Sequence, residues 1–422
     1  MTGSQCYTVD DTIHLSFAET CTAMRCNKFS LQVVVVLSLL AVLFAGLTAF
    51  THNLLVVQRG NSFDFYPHYV AAQALLRGDN PYSQEVTAQI QIGMFGGELP
   101  PEFDQQRFSY PAYTALLLLP FTPLDSHTAI ALWMSIQLFA IEASLLLWIH
   151  ILEWKTPLVM LPVLLGALLL AFRYPINVYI LGQFTGVMLL LLSLAALAFK
   201  RKHDTAAGVL LALSANPPTI AAGIAIFILL AHALKGRWRG LVSFILTLAV
   251  LVVIVVLRVG WWIPQFLGNI GDYSRYADPV WVLSMLPLWV VIPLLSLCLW
   301  AAFTTLRRAR EPFHTALHTD GIALSIIAAL VLLPQTGNYY LTLLIVPLLL
   351  IAKRSLTNLD AKQVLILIGC LFAVFSPWLI WLTFENYRPV EAALLPIFLF
   401  LLWWAQLQPP VSRRVAAAGK QR

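Results

Sequence analysis

Long apolar runs separated by short polar punctuation dominate the chain, and the runs show no period-2 alternation. Stretches such as 31–50 and 241–257 are continuous rather than striped. About 20 apolar residues in a helix span the roughly 30 Å hydrocarbon layer of a bilayer, so these runs predict membrane-crossing helices. The other way to cross, a closed β-barrel, needs alternating strands. The pattern predicts about twelve spans, near 31–50, 128–151, 156–172, 184–199, 205–215, 218–232, 240–257, 281–304, 317–334, 339–352, 363–383 and 391–407. The fold class is therefore an all-α polytopic membrane protein. Two of the stretches, 205–215 and 218–232, are too short to cross alone and share the break Asn216-Pro217-Pro218. Proline removes a backbone donor and restricts the residue before it, so the pair reads as a hairpin of short helices, with a kinked single helix as the alternative.

The longest interruption is the segment 51–110. A loop of that length is functional or disordered as a rule. Its pattern is ordered: Pro67 stands near one helix start and Gly78 at its end, Asp79-Asn80-Pro81 forms a turn, and Ser83 opens a second helix with Val86, Ile90 and Phe95 on one side. Two short amphipathic helices at the membrane surface fit this spacing. The chain divides into a polar tail (1–28), one multi-spanning domain (29–408) and a second tail (409–422).

Composition agrees with the pattern. Of 422 residues, 59% are hydrophobic and 11% charged, against about a quarter charged in a soluble domain. The net charge of +6 is a topology signal rather than a nucleic-acid footprint. With the N-terminus in the cytoplasm, about 19 of the 26 Lys and Arg face inward, among them Lys200-Arg201-Lys202, Arg307-Arg308 and Arg413-Arg414. Both termini are then cytoplasmic, and 51–110 is the first extracytoplasmic loop. Cys6, Cys21 and Cys26 fit neither a zinc site nor a disulfide framework; Cys298 and Cys370 read as small hydrophobes. The first 28 residues are too acidic for a signal peptide, and a start at Met24 suits the rest equally well. Paired tryptophans such as Trp261-Trp262 and Trp403-Trp404 read as interfacial anchors.

Candidate chemistry begins at Asp64, a carboxylate set among aromatics in Phe63-Asp64-Phe65-Tyr66. It could serve as a general base toward a hydroxyl. It could equally cap the helix that follows. His68, one turn on, could orient Asp64, contact phosphate, or have no catalytic duty. Glu142 lies inside a span, where a bare carboxylate costs a few kcal/mol, so it should be paired, protonated or turned to the bundle. Asp272 and Asp278 could assist, though solvated loop acids are the safer reading. No metal-ligand spacing is present, and neither a metal nor another cofactor is expected.

The string Asp64-Phe65-Tyr66-Pro67-His68-Tyr69, continuing through Arg77-Gly78-Asp79-Asn80-Pro81-Tyr82, resembles the signature of glycosyltransferase family 87. Phe108-Ser109-Tyr110-Pro111 resembles that family's aromatic-Tyr-Pro segment, Gly182-Gln183-Phe184 its Gly-Gln motif, and Ala207-Gly208-Val209-Leu210 the start of its hairpin. The matches run in family order over 60–240. Three positions depart from the pattern: Asn216 where many relatives have Lys, Thr185 where Asn is common, and the loop Gln335-Thr336-Gly337-Asn338-Tyr339-Tyr340, which lacks a His.

The resemblance implies a GT-C-type membrane transferase that takes a hexose, typically mannose, from a polyprenyl-phosphate-sugar donor. The acceptor is a lipid or glycan on the extracytoplasmic face of a membrane, expected to be a bacterial inner membrane. It implies inversion at the anomeric centre, with Asp64 as base. The implied substrate-binding set is Tyr66, His68, Tyr69, Tyr82, Arg107, Tyr110, Arg173, Gln183, Asn216, Arg275, Asn338 and Tyr339. A cation must stabilise the departing phosphate, and Arg77, Arg107, Arg173, Arg258, Arg275 and Arg388 are the candidates, Arg107 and Arg275 ahead of the others. Arg173 and Arg258 each end an apolar span, where snorkelling to headgroups is an equal alternative. The partners implied are membrane lipids, the lipid-linked sugar and the acceptor, with no nucleic acid. The competing readings are a transporter or flippase, which should show repeated halves, and an O-antigen polymerase or ligase, whose large loop falls late in the chain.

Overall fold

A computed structural model describes residues 34–155, 157, 161–215, 219–276, 280, 287, 292, 315–357 and 359–407. Among these residues the chain is helical, and the sole β feature is one antiparallel bridge pairing Val280 with Gln335. Among the described residues six helices are long and apolar enough to cross a membrane: α1 (Val34–Arg59), α5 (Ser126–Ile151), α11 (Arg239–Val259), the span Asn338–Thr357, α15 (Ala361–Thr383) and α16 (Tyr387–Gln406 within Tyr387–Leu407). The span Asn338–Thr357 opens with a 3-10 stretch, Asn338–Leu344, and continues as α14 (Ile345–Thr357). Between these lie α2 (Phe65–Arg77), α3 (Gln84–Phe95), α4 (Tyr113–Leu117), α6 (Leu161–Ala171), α7 (Arg173–Leu181), α8 (Thr185–Lys200), α9 (Asp204–Ser214), α10 (Ile220–Ala233), α12 (Ile263–Tyr276) and α13 (Thr315–Leu332).

Against the expected count of about twelve spans, the described residues hold six helices long enough to cross, or up to seven if one bent pair is a single span, with several shorter apolar helices besides. Helices α7 and α8 pass the length test only as a pair, bent by 117°. The region 173–183, expected as a connection, is helical up to Leu181. Apart from residues 287 and 292, the expected span 281–304 lies outside the described residues, as do the break Asn216-Pro217-Pro218, both tails, Asp278 and every cysteine except Cys370. The two helices that flank that break are present as α9 and α10.

Small residues bring the helices close. A Cβ on Gly208 of α9 would fall 2.1 Å from the Gly240 carbonyl oxygen of α11, so the two backbones touch. Arg237 closes the same corner by binding the Asp204 carboxylate, with its Nε 2.9 Å from Oδ2. Trp262 and Trp403, expected as interfacial anchors, are buried; Trp403 Nε1 donates to Asp320 Oδ1 at 2.9 Å, and Arg354 grips that carboxylate through both oxygens. The Trp403 indole N–H finds its partner inside the bundle, whereas Trp262 Nε1 is buried with no partner among the described residues, so packing alone holds that ring inward.

Two apolar cores form. One fills the bundle of α5 to α10 with the C-terminal helices. The other is built from Phe63 through Leu75, Tyr82, Ile90, Phe108, Trp133, Phe184 and Trp262, and it packs the 51–110 segment onto the ends of α5 and α11. Helix α2 was expected at the membrane surface, but ten of its thirteen residues are buried. Helix α3 keeps an exposed face: Val86 and Ile90 pack inward, and Phe95, expected beside them, is half exposed.

Candidate active site

Asp64 occupies the N-cap position of α2 without capping it. Its backbone is α-helical, at φ −61° and ψ −19°, whereas a capping side chain needs an extended N-cap residue to reach the next free N–H groups. Ser83, with φ −68° and ψ 159°, shows the contrast: its Oγ accepts from Val86 N at 3.3 Å. The Asp64 carboxylate is left available, and Gln183 Nε2 donates to its Oδ2. Among the described residues Oδ1 has no protein donor.

Gln183 is aimed by the bend between α7 and α8. Gly182 ends α7 in the left-handed region, at φ +70°, and its missing side chain lets Phe65 and Met134 close in. Trp133 Nε1 donates to the Gly182 carbonyl at 2.9 Å, and Asp64 N donates to the Leu181 carbonyl at 3.2 Å. Gln137 Oε1 accepts from Val187 N at 3.0 Å and so holds the first turn of α8. A side chain on Gly186 would strike the Gln137 backbone. The Gly-Gln bend and the Asp64 turn therefore form one packed unit, although 119 residues separate the bonded side chains.

Burial raises the Asp64 pKa above its ordinary value. The Gln183 hydrogen bond and the Arg388 charge oppose that rise, and the charge of Asp104 reinforces it. His68 lies edge-on to Phe108, Tyr110 and Phe184, with ring centroids 5.5, 4.4 and 4.8 Å away. Burial pushes its imidazole down to about 3, so it is neutral at physiological pH. It makes no hydrogen bond to Asp64, and its Nδ1 has no partner among the described residues.

The remaining aromatic residues are structural in their contacts. Tyr66 packs against Gly93. Tyr69 Oη donates to the Leu124 carbonyl and Tyr82 Oη to the Tyr110 carbonyl, each at 2.6 Å. Of the arginines, Arg77 pairs with Asp79 and Arg107 with Asp272, both at 2.7 Å. Arg258 binds the Leu75 and Leu76 carbonyls at the end of α2. For Arg275 only the helical backbone position in α12 is described.

Arg173 does not snorkel. It is buried and pairs at 2.6 Å with Glu391, whose side chain is fully buried, while its guanidinium lies over the rings of Trp381 and Tyr387 at 5.1 and 4.7 Å. Asn338 Nδ2 donates to the second Glu391 oxygen at 2.9 Å. One turn before Glu391, Arg388 lines a small cavity with Asn338, Gly337 and Thr336. Tyr339 Oη shares a 3.3 Å hydrogen bond with Thr336 Oγ1. Glu142 Oε2 is buried with no hydrogen-bond partner among the described residues.

The sequence reading did not single out Glu391, because its partners are Arg173 and Asn338, far away in the chain. A carboxylate inside a predicted span was the available signal. Among the described residues no group of three His, Cys, Asp or Glu is placed to hold a metal ion.

The family model of glycosyltransferase family 87 matches residues 108–334, more than half of the chain. Comparison with curated proteins and with solved structures gives no match. The matched stretch contains the Phe108–Tyr110 segment, Arg173 and the Gly182–Gln183 bend, while Asp64 precedes it and Arg388 and Glu391 follow it. The chain belongs to glycosyltransferase family 87 and is a membrane glycosyltransferase.

Proposed function

We propose that the protein transfers a hexose, most readily mannose, from a polyprenyl-phosphate carrier to a hydroxyl of a lipid or glycan acceptor on the extracytoplasmic face, with inversion. The observation that carries the proposal is the Asp64 carboxylate: uncapped, partly buried, held through Oδ2 by Gln183 and within the field of Arg388.

In this reaction Asp64 Oδ1 takes the proton of the acceptor hydroxyl as the hydroxyl oxygen bonds to the anomeric carbon. The bond from that carbon to the phosphate oxygen breaks, and its electron pair leaves on the phosphate. Arg388 supplies positive charge where the negative charge accumulates. Arg107 is a weaker candidate because Asp272 already meets its charge. The apolar hollow between α6 and α15, lined by Leu170, Ala171, Phe375 and Trp378, offers a surface of the right character for a prenyl chain.

The test uses purified protein in lipid nanodiscs with radiolabelled polyprenyl-phosphate mannose and glucose, and membrane-lipid and oligosaccharide acceptors. Asp64→Asn keeps the side-chain shape and removes the base, so transfer falls by about 10²–10⁴-fold. Wild-type turnover by that variant would exclude Asp64 as the base.

A further inference from the structure

A polar cavity lies between α3, the segment 98–107 and α12. It measures about 150 Å³ and is lined by Tyr82, Gln84, Gln91, Glu98, Gln105 and Asn269, among others. We propose that this cleft binds an inner sugar ring of an oligosaccharide acceptor whose terminal hydroxyl is presented to Asp64. The inference rests on the reading of Asp64 as base and adds to it the chemical class of the acceptor.

The lining sets the ligand class. Gln91 and Gln105 are committed to one another and to backbone, which leaves the amides of Gln84 and Asn269, each with a donor and an acceptor in one side chain, to match the dual character of sugar hydroxyls. The guanidinium that borders the cleft, Arg107, is paired with Asp272 at 2.7 Å. The cleft is therefore a poor phosphate site, and its polarity excludes a prenyl chain. Its floor is rigid before any ligand arrives: buried Gln91 donates from Nε2 to the Gln105 carbonyl and accepts at Oε1 from Leu99 N, each at 2.9 Å. A site already held in shape loses less entropy on binding. Tyr82 adds to the rigid wall, since its Oη is committed to the Tyr110 carbonyl and its ring packs on Phe108 and Trp262, with centroids 5.5 and 6.0 Å away.

Position sets the length of the ligand. The segment that walls the cleft carries Asp104, whose charge acts on Asp64. It then runs into Phe108 and Tyr110, which pack on His68, one turn beyond Asp64. The cleft and the base thus flank a single stretch of chain. A ligand that reaches both needs more than one ring.

The experiment measures saturation-transfer-difference NMR on the full-length protein in nanodiscs, with mannotriose and maltotriose as probes and tetraglycine as a peptide control. The expected result is transfer to at least one trisaccharide, not to tetraglycine, and loss of that signal in Ala88→Trp, which fills the cleft. Gln84→Ala and Asn269→Ala, milder changes at the rim, should each weaken trisaccharide binding several-fold while circular dichroism stays unchanged. Signal from neither trisaccharide, signal unaltered in all three variants, or signal from tetraglycine alone would overturn the proposal. Asp64→Asn should bind the trisaccharide as the wild type does. Failure of the base assignment, seen as transfer surviving in that variant, is thereby read separately from failure of the cleft.

Discussion

At the scale of single residues, the function turns on how Asp64 is held. A general base works unprotonated, and burial raises its pKa, so transfer should fall with decreasing pH at values above the ordinary carboxylate range. Gln183 stabilises the charged form. Gln183→Ala should therefore lower kcat and move this acid limb to higher pH, whereas a purely structural glutamine would lower the rate without moving the limb. Stability should respond in the opposite sense to activity. A carboxyl whose folded pKa exceeds its unfolded one weakens the fold as pH rises through the interval between the two values, and the loss persists above it. Asp64→Asn removes that cost, so its melting temperature at neutral pH should match or exceed that of the wild type. Asp64 itself was legible because a carboxylate among aromatics before a helix is conspicuous. The sequence left base and cap as alternatives, and backbone geometry decided against a side-chain cap. Gln183 was legible as part of a motif, but its bond to Asp64 was not, because no local pattern encodes a contact across 119 residues.

At the scale of elements, hydropathy found the apolar runs and misjudged what some of them become. A run of given apolarity can be a full span or a short helix packed in the bundle, and only neighbouring helices decide. Helix α7 escaped notice because Arg173-Tyr174-Pro175-Ile176-Asn177 is too polar to read as a span, yet its buried side carries Tyr174 and Val178. The 117° turn that follows is what aims Gln183. Tight crossings are similarly invisible without a partner. Gly208→Ala should lower stability by about 1–3 kcal/mol, since the new methyl meets the α11 backbone. Gly268→Ala, in open space on α12, should be neutral or stabilising by up to about 1 kcal/mol through helix propensity. Thermal unfolding in detergent distinguishes the two.

At the scale of the whole molecule, the Arg173–Glu391 pair joins α7 to the last described helix and, through that helix, fixes where Arg388 stands. Removing one member of a buried pair typically costs about 3–5 kcal/mol, because the other charge is left unmatched. Glu391→Gln should therefore destabilise the protein strongly, and Arg173→Met combined with Glu391→Met should recover most of the loss in a double-mutant cycle. If the single variants prove harmless, the pair does not hold the helices together. The family match spans 108–334, so the proposed base and the proposed phosphate-binding cation both come from outside the stretch that identifies the family.

The same pairing has a consequence for biosynthesis. Arg173 leaves the ribosome 218 residues before its counter-ion, so through most of translation an unneutralised guanidinium waits near the bilayer. Insertion of α16 relieves it. A nascent chain that ends before Glu391 keeps that charge unmatched, so such truncations should be less stable in the membrane than chains that reach past α16, as a pulse-chase of the two would read.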